Sequence, residues 1–105
     1  MRNILPLIFL LSSNLFSSYK LETLIENLDY PWGMSFTSEN TLLITELPGN
    51  IKKINLLTNE ITEIKNVPNV LFRGQGGLSG ITLHPNYKAN GWIYISYSAS
   101  VSYTH

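Results

Sequence analysis

The chain has no cysteine. That single absence excludes disulfide frameworks, thiolate zinc sites and cysteine nucleophiles. Charge is scarce as well: 13% of the 105 residues are charged, seven basic against seven acidic. A nucleic-acid binder needs a basic face, and no surplus of Lys or Arg exists to build one, so no nucleic-acid partner is expected. Asp29 is the only aspartate and has no acidic neighbour of the kind a calcium loop supplies. His84 and His105 stand 21 residues apart without partners at metal-ligand spacing. No metal site is expected within the chain.

Long hydrophobic runs are missing too. A spanning helix needs about 20 apolar residues, and the longest run here is residues 4–11 (ILPLIFLL), interrupted by Pro6. It follows the positive start Met1-Arg2-Asn3 and precedes a Ser-rich stretch ending at Ser18. That is the layout of a secretory signal peptide, not of a membrane anchor. An N-terminal core helix is disfavoured by Pro6 and by the lack of a capping residue. Residues 1–18 are therefore expected to be removed, and residues 19–105 to be exported to the periplasm or beyond. The mature part carries six basic and seven acidic residues, because Arg2 leaves with the signal.

Present in quantity are aromatic and β-branched residues: six Tyr, four Phe, two Trp, and 44% hydrophobic residues in all. From Tyr19 onward no segment holds helical periodicity. Short apolar runs recur instead, bounded by Gly, Pro, Asn or Ser, which is the pattern of strands and turns. Strands are expected at residues 19–25, where Tyr19, Leu21, Thr23 and Ile25 alternate, and at 33–37, 41–46, 51–57 and 60–65. The run 41–46 (TLLITE) is apolar enough to be buried on both faces. Leu47-Pro48-Gly49-Asn50 reads as a type II turn with Gly at the position of positive φ. The strands after 33 form an antiparallel meander.

After the loop 66–77 the pattern restarts, with strands expected at 78–83 and 92–98. Gly33-Met34-Ser35-Phe36 aligns with Gly80-Ile81-Thr82-Leu83, a period of 47 residues. A four-stranded unit repeating every ~40–50 residues marks a β-propeller blade; a β-sandwich is the alternative fold. The fold class expected is all-β, a β-propeller of which this chain holds the first blade and the start of the second. Propellers close with about 4–8 blades, so the chain is expected to be the opening part of a longer protein.

Two stretches go beyond a generic propeller. The first is Tyr30-Pro31-Trp32-Gly33-Met34-Ser35-Phe36, followed by Leu42-Leu43-Ile44-Thr45-Glu46 and Pro48-Gly49. The second is Arg73-Gly74-Gln75-Gly76-Gly77-Leu78, followed by Leu83-His84-Pro85-Asn86-Tyr87 and Ile93-Tyr94-Ile95-Ser96-Tyr97. Together, in this order and spacing, they resemble the N-terminal part of the glucose/sorbosone dehydrogenases, the soluble aldose sugar dehydrogenases dependent on pyrroloquinoline quinone (PQQ). The resemblance runs from about Leu28 to Ser98. It implies a six-bladed propeller that binds PQQ and calcium at the mouth of its central channel. It further implies oxidation of aldoses at the anomeric carbon, with a histidine base, an electron acceptor, and a possible homodimer. The family's glutamine near quinone and sugar falls on Gln75. Its catalytic histidine, quinone-contacting arginines and calcium ligands belong to later blades, so no catalytic residue is expected in this chain. Leu47 stands where many members carry Arg, and Ser79 where many carry Leu.

Read without the family, Gln75 sits among Gly74, Gly76 and Gly77, which leave a flanking side chain free to point into a cavity. Its amide both donates and accepts, as a quinone carbonyl or a sugar hydroxyl requires. A plain turn between blades is the alternative. A phosphate cradle is disfavoured because the glycines precede a strand and not a helix N-terminus, and no Gly-Lys-Ser/Thr follows. His84 reads as a turn histidine bonded to the backbone, and Glu46 as a residue that ties down a turn, with a catalytic carboxylate the alternative. Trp32 and Trp92 are expected to pack between blades; Trp32 could instead stack on a sugar. Of Lys52 and Lys53, adjacent in a strand, one must face solvent. Two functions follow: an exported PQQ-dependent sugar dehydrogenase whose opening part alone is inactive, or a secreted propeller that only binds.

Overall fold

A computed structural model describes residues 18–100. The elements are β1 (Pro31–Ser38), β2 (Thr41–Glu46), β3 (Asn50–Asn55), β4 (Glu60–Glu63), β5 (Leu78–Leu83), the helical turn α1 (Tyr87–Asn90) and β6 (Ile93–Tyr97). Strands β1 to β4 form one antiparallel sheet in sequence order, and β5 pairs with β6 in a second. Each strand expected from residue 33 onward lies within two residues of its place. The first residues of β1 and β5, Pro31 and Leu78, repeat the 47-residue spacing of Gly33 and Gly80. The second unit is lengthened by α1, inserted where Glu39 and Asn40 alone join β1 to β2.

Alternation along β2 and β3 divides the core in two. Leu43 and Ile51 face the second sheet and pack with Leu78 and Ile81. Leu42, Ile44 and Ile54 face the opposite way and take Ile25, Leu28 and Leu56 as cover. The first sheet is thus buried on both faces at β2, as its composition suggested. Each fully buried Leu or Ile contributes about 1.5–3 kcal/mol, so these seven side chains anchor both layers.

Residues 19–25 are not a strand. Tyr19 and Leu21 are fully exposed, and only Ile25 reaches the core. Alternation there is real, but no neighbouring strand pairs with it, and a strand exists only through its ladder. The turn after β2 also departs from expectation. Gly49 takes the positive φ (127°), yet the closing bond runs from Gly49 N–H to the Glu46 carbonyl (2.9 Å), one residue earlier than a type II turn at 47–50 demands. At its other end β4 stops at Glu63, while the Ile64 N–H still bonds the Ile51 carbonyl (2.9 Å). That early stop lets Ile64 turn onto the inter-sheet core while Ile61 stays half exposed. The signal-peptide reading falls on residues 1–18, of which only Ser18 is described. Among the described residues no helix is long and apolar enough to cross a membrane.

Candidate functional site

Gln75 lies at the tip of a tight turn. The Gly76 N–H donates to the Arg73 carbonyl (2.8 Å), and Gly74 takes a positive φ (58°) that Gln75 does not share. Positive φ at the first central position alone is the pattern of a type II′ turn. Gln75 is exposed there, so its amide is free to present a donor and an acceptor together.

The flanks of this turn are fixed. Leu78 N–H donates to the Leu47 carbonyl (2.9 Å), Ser98 N–H to the Gly77 carbonyl (3.0 Å), and Leu71 N–H to the Ser98 carbonyl (2.7 Å). Gly77 is buried and has φ 155°. A Cβ on it would run into the Leu47 carbonyl oxygen. Leu47 in turn donates its own N–H to the Tyr30 carbonyl (2.9 Å). Tyr30, itself at positive φ (51°), lays its ring against Phe72, with centroids 5.4 Å apart. The β2–β3 turn therefore joins the Tyr30 segment to the Gln75 loop. Leu47 replaces the family's frequent Arg by a buried apolar side chain, and its main chain does the joining.

Glu46 is completely buried. Its Oε2 accepts from the Asp29 N–H (2.6 Å) and pairs with Lys52 Nζ (3.2 Å), while Oε1 has no partner. A buried carboxylate is tolerable only when paired and hydrogen-bonded. Lys52 reaches it because Lys52 lies opposite Ile44, one diagonal step across the ladder. Lys53 is the exposed member of the pair. The Glu46 side chain thus ties down the Asp29–Tyr30 segment, 17 residues earlier, and not the Pro-Gly turn that follows it.

His84 is bonded to the backbone as expected: its Nδ1 accepts from the Asn86 N–H (2.9 Å). An accepting Nδ1 carries a lone pair, which places the neutral ring's proton on Nε2. Trp92 meets His84 edge-on (5.4 Å) and Tyr94 lies 5.9 Å from it. Neither tryptophan is packed between the sheets: Trp32 is 64% exposed and Trp92 60%. Neither belongs to the cluster that Leu43, Ile51, Leu78 and Ile81 form. Among the described residues no group of three His, Asp or Glu comes together to hold a metal.

Compared with known proteins, residues 28–104 match the sequence pattern of glucose/sorbosone dehydrogenase. The chain belongs to this family. It is 36% identical over 87 residues to an uncharacterized protein of Synechocystis sp., covering 75% of this chain and 21% of that protein. It is 33% identical over 83 residues to aldose sugar dehydrogenase YliI of Escherichia coli, covering 78% and 22%. In three dimensions it superposes on the PQQ-bound form of aldose sugar dehydrogenase from Streptomyces coelicolor with a TM-score of 0.71 at 31% identity, over 76% of this chain and 24% of that one. The chain thus spans about a fifth of the length of the curated relatives it matches. The glucose/sorbosone dehydrogenases are PQQ-dependent sugar dehydrogenases, and the fold is the β-propeller. The main chain on both sides of Gln75 is hydrogen-bonded, so its exposed amide stands on an anchored turn. Sequence reasoning picked out Gln75 but missed Leu47, Lys52 and Tyr30 as the residues that brace its surroundings. Nothing local marks them, because each acts on a residue at least six positions away.

Proposed function

We propose that this chain forms the opening part of an exported, PQQ-dependent dehydrogenase that oxidises aldoses at the anomeric carbon. The observation that carries the proposal is the exposed Gln75 amide on a loop anchored at Leu47 and Ser98. Bound PQQ would supply the two-electron oxidant, and a separate acceptor would reoxidise it. Gln75 binds and orients, donating to a quinone or sugar oxygen or accepting from a sugar hydroxyl. The proton-accepting base, the calcium ligands and the remaining quinone contacts would come from later blades.

The repeat supports further blades. Met34 and Ile81 hold equivalent places 47 residues apart, yet Met34 is 65% exposed and Ile81 8%. Ile81 has the Leu43–Ile51 face of the first sheet to pack on. Trp32, Met34 and Phe36, alternating along β1, present the same kind of face without a neighbour. A ring of blades would supply one.

The full-length protein, given PQQ, calcium and an aldose, is expected to reduce a redox dye, whereas residues 19–105 alone should give no turnover above buffer. A full-length protein that binds sugar without dye reduction would sink the dehydrogenase reading. Turnover by the short chain would place the chemistry in the wrong blades. Export is checked separately: N-terminal sequencing of the periplasmic or secreted product should begin near Tyr19, and a cytosolic product retaining Met1 would refute it.

A further inference from the structure

We infer that the Thr45 and Ser35 hydroxyls are positioning groups for the Gln75 loop, setting the height of β5 against the first sheet. The inference deepens the proposed role of Gln75 and rests on it only where activity is concerned. Strand β5 pairs with β6 along one edge, and the two sheets share no backbone ladder. Its other edge faces β1. The β5–β6 register shifts between Leu78 and Ile81, and across that irregular stretch the carbonyls of Ser79 and Ile81 are both taken by hydroxyls of the first sheet. Thr45 Oγ1 donates to the Ser79 carbonyl at 2.6 Å, and Ser35 Oγ to the Ile81 carbonyl at 3.1 Å.

Thr45 is completely buried. Its hydroxyl also accepts from the Gly33 N–H (2.9 Å). Its single proton has a second acceptor in the Gly33 carbonyl at 3.3 Å, and the shorter contact with the Ser79 carbonyl at 2.6 Å is the stronger of the two. Close approach is possible because position 33 is glycine: a Cβ there would lie 2.7 Å from the Ser79 oxygen. Thr45 and Leu47 are two residues apart, and both grip the start of β5, Thr45 at Ser79 and Leu47 at Leu78. The loop carrying Gln75 enters β5 at that doubly held point. No strand ladder joins the two sheets, so these hydroxyls and the single Leu78–Leu47 backbone bond set the register between them.

Hydrogen exchange on the full-length protein without PQQ tests this. Thr45→Val keeps shape and removes the hydroxyl, stranding the Gly33 N–H and the Ser79 carbonyl. It should speed exchange of the Gly76 and Leu78 amides at least tenfold, while amides of β3 change less than twofold. Thr45→Ser should restore wild-type exchange. Ser35→Ala should speed the same two amides about threefold, and it carries the test if Thr45→Val does not fold. With PQQ and aldose present, Thr45→Val should lower kcat about tenfold, and this loss should vanish in a Gln75→Ala background. Loop amides within twofold of wild type in the folded variants, a rise shared equally by β3, or a Thr45→Ser that behaves like valine would each overturn the inference. If loop exchange responds as stated but Gln75→Ala leaves activity intact, the hydroxyl clamp stands and the role proposed for Gln75 falls.

Discussion

Replacing Gln75 with alanine in the full-length protein is expected to lower kcat/KM for aldose oxidation roughly ten- to hundredfold. Removing a neutral hydrogen-bonding group whose partner stays buried costs about 1–3 kcal/mol, and each 1.36 kcal/mol is a factor of ten in rate. The loss should come without a loss of fold. Gln75 is exposed, and the turn it occupies is closed by the main chain of Arg73 and Gly76 and anchored through Leu47 and Ser98. The melting temperature without PQQ should therefore stay at the wild-type value. Activity within twofold of wild type would reduce Gln75 to a turn residue. A large drop in stability of the cofactor-free protein would instead make it a packing residue.

Two glycines of the same motif are expected to respond very differently to alanine. Gly77→Ala should destabilise the protein by about 2–5 kcal/mol, measured by urea unfolding. A side chain at φ 155° is held in a region that only glycine occupies readily, at about 1–3 kcal/mol. The added methyl also meets the Leu47 carbonyl, a main-chain group already bonded to Leu78, and overpacking of that kind adds about 1–3 kcal/mol. Gly74→Ala should cost less, only the strain of a side chain at positive φ, about 1–3 kcal/mol, because nothing lies within 4 Å of the new methyl. Equal effects from the two variants would mean that the Leu47 contact yields freely and does not hold the loop.

Much of the fold was legible in the order of residue types. Strands β2 and β5 were placed to the residue, since apolar runs and Gly, Pro and Asn punctuation are local properties of the chain. The same holds for the 47-residue repeat and for the Gly-rich turn that exposes Gln75. Where alternation lacked a partner, as at residues 19–25, the local pattern misled. The exposure of Trp32 and Trp92 was not legible either: hydrophobicity says that a side chain seeks cover, and only the packing says which face has a neighbour within these residues.

The amino-acid sequence by itself determined the all-β class, the blade-like repeat and the Gly-rich turn on which Gln75 stands. Tertiary structure alone decided what holds that residue in place: Lys52 across the ladder on buried Glu46, Leu47 between Tyr30 and Leu78, and Thr45 on the Ser79 carbonyl 34 positions away. Periodicity and turn chemistry act between near neighbours and survive in any register. A hydrogen bond between distant strands exists only at one register and one distance between sheets, and only the closing of the two layers on Leu43, Ile51, Leu78 and Ile81 brings its partners within reach.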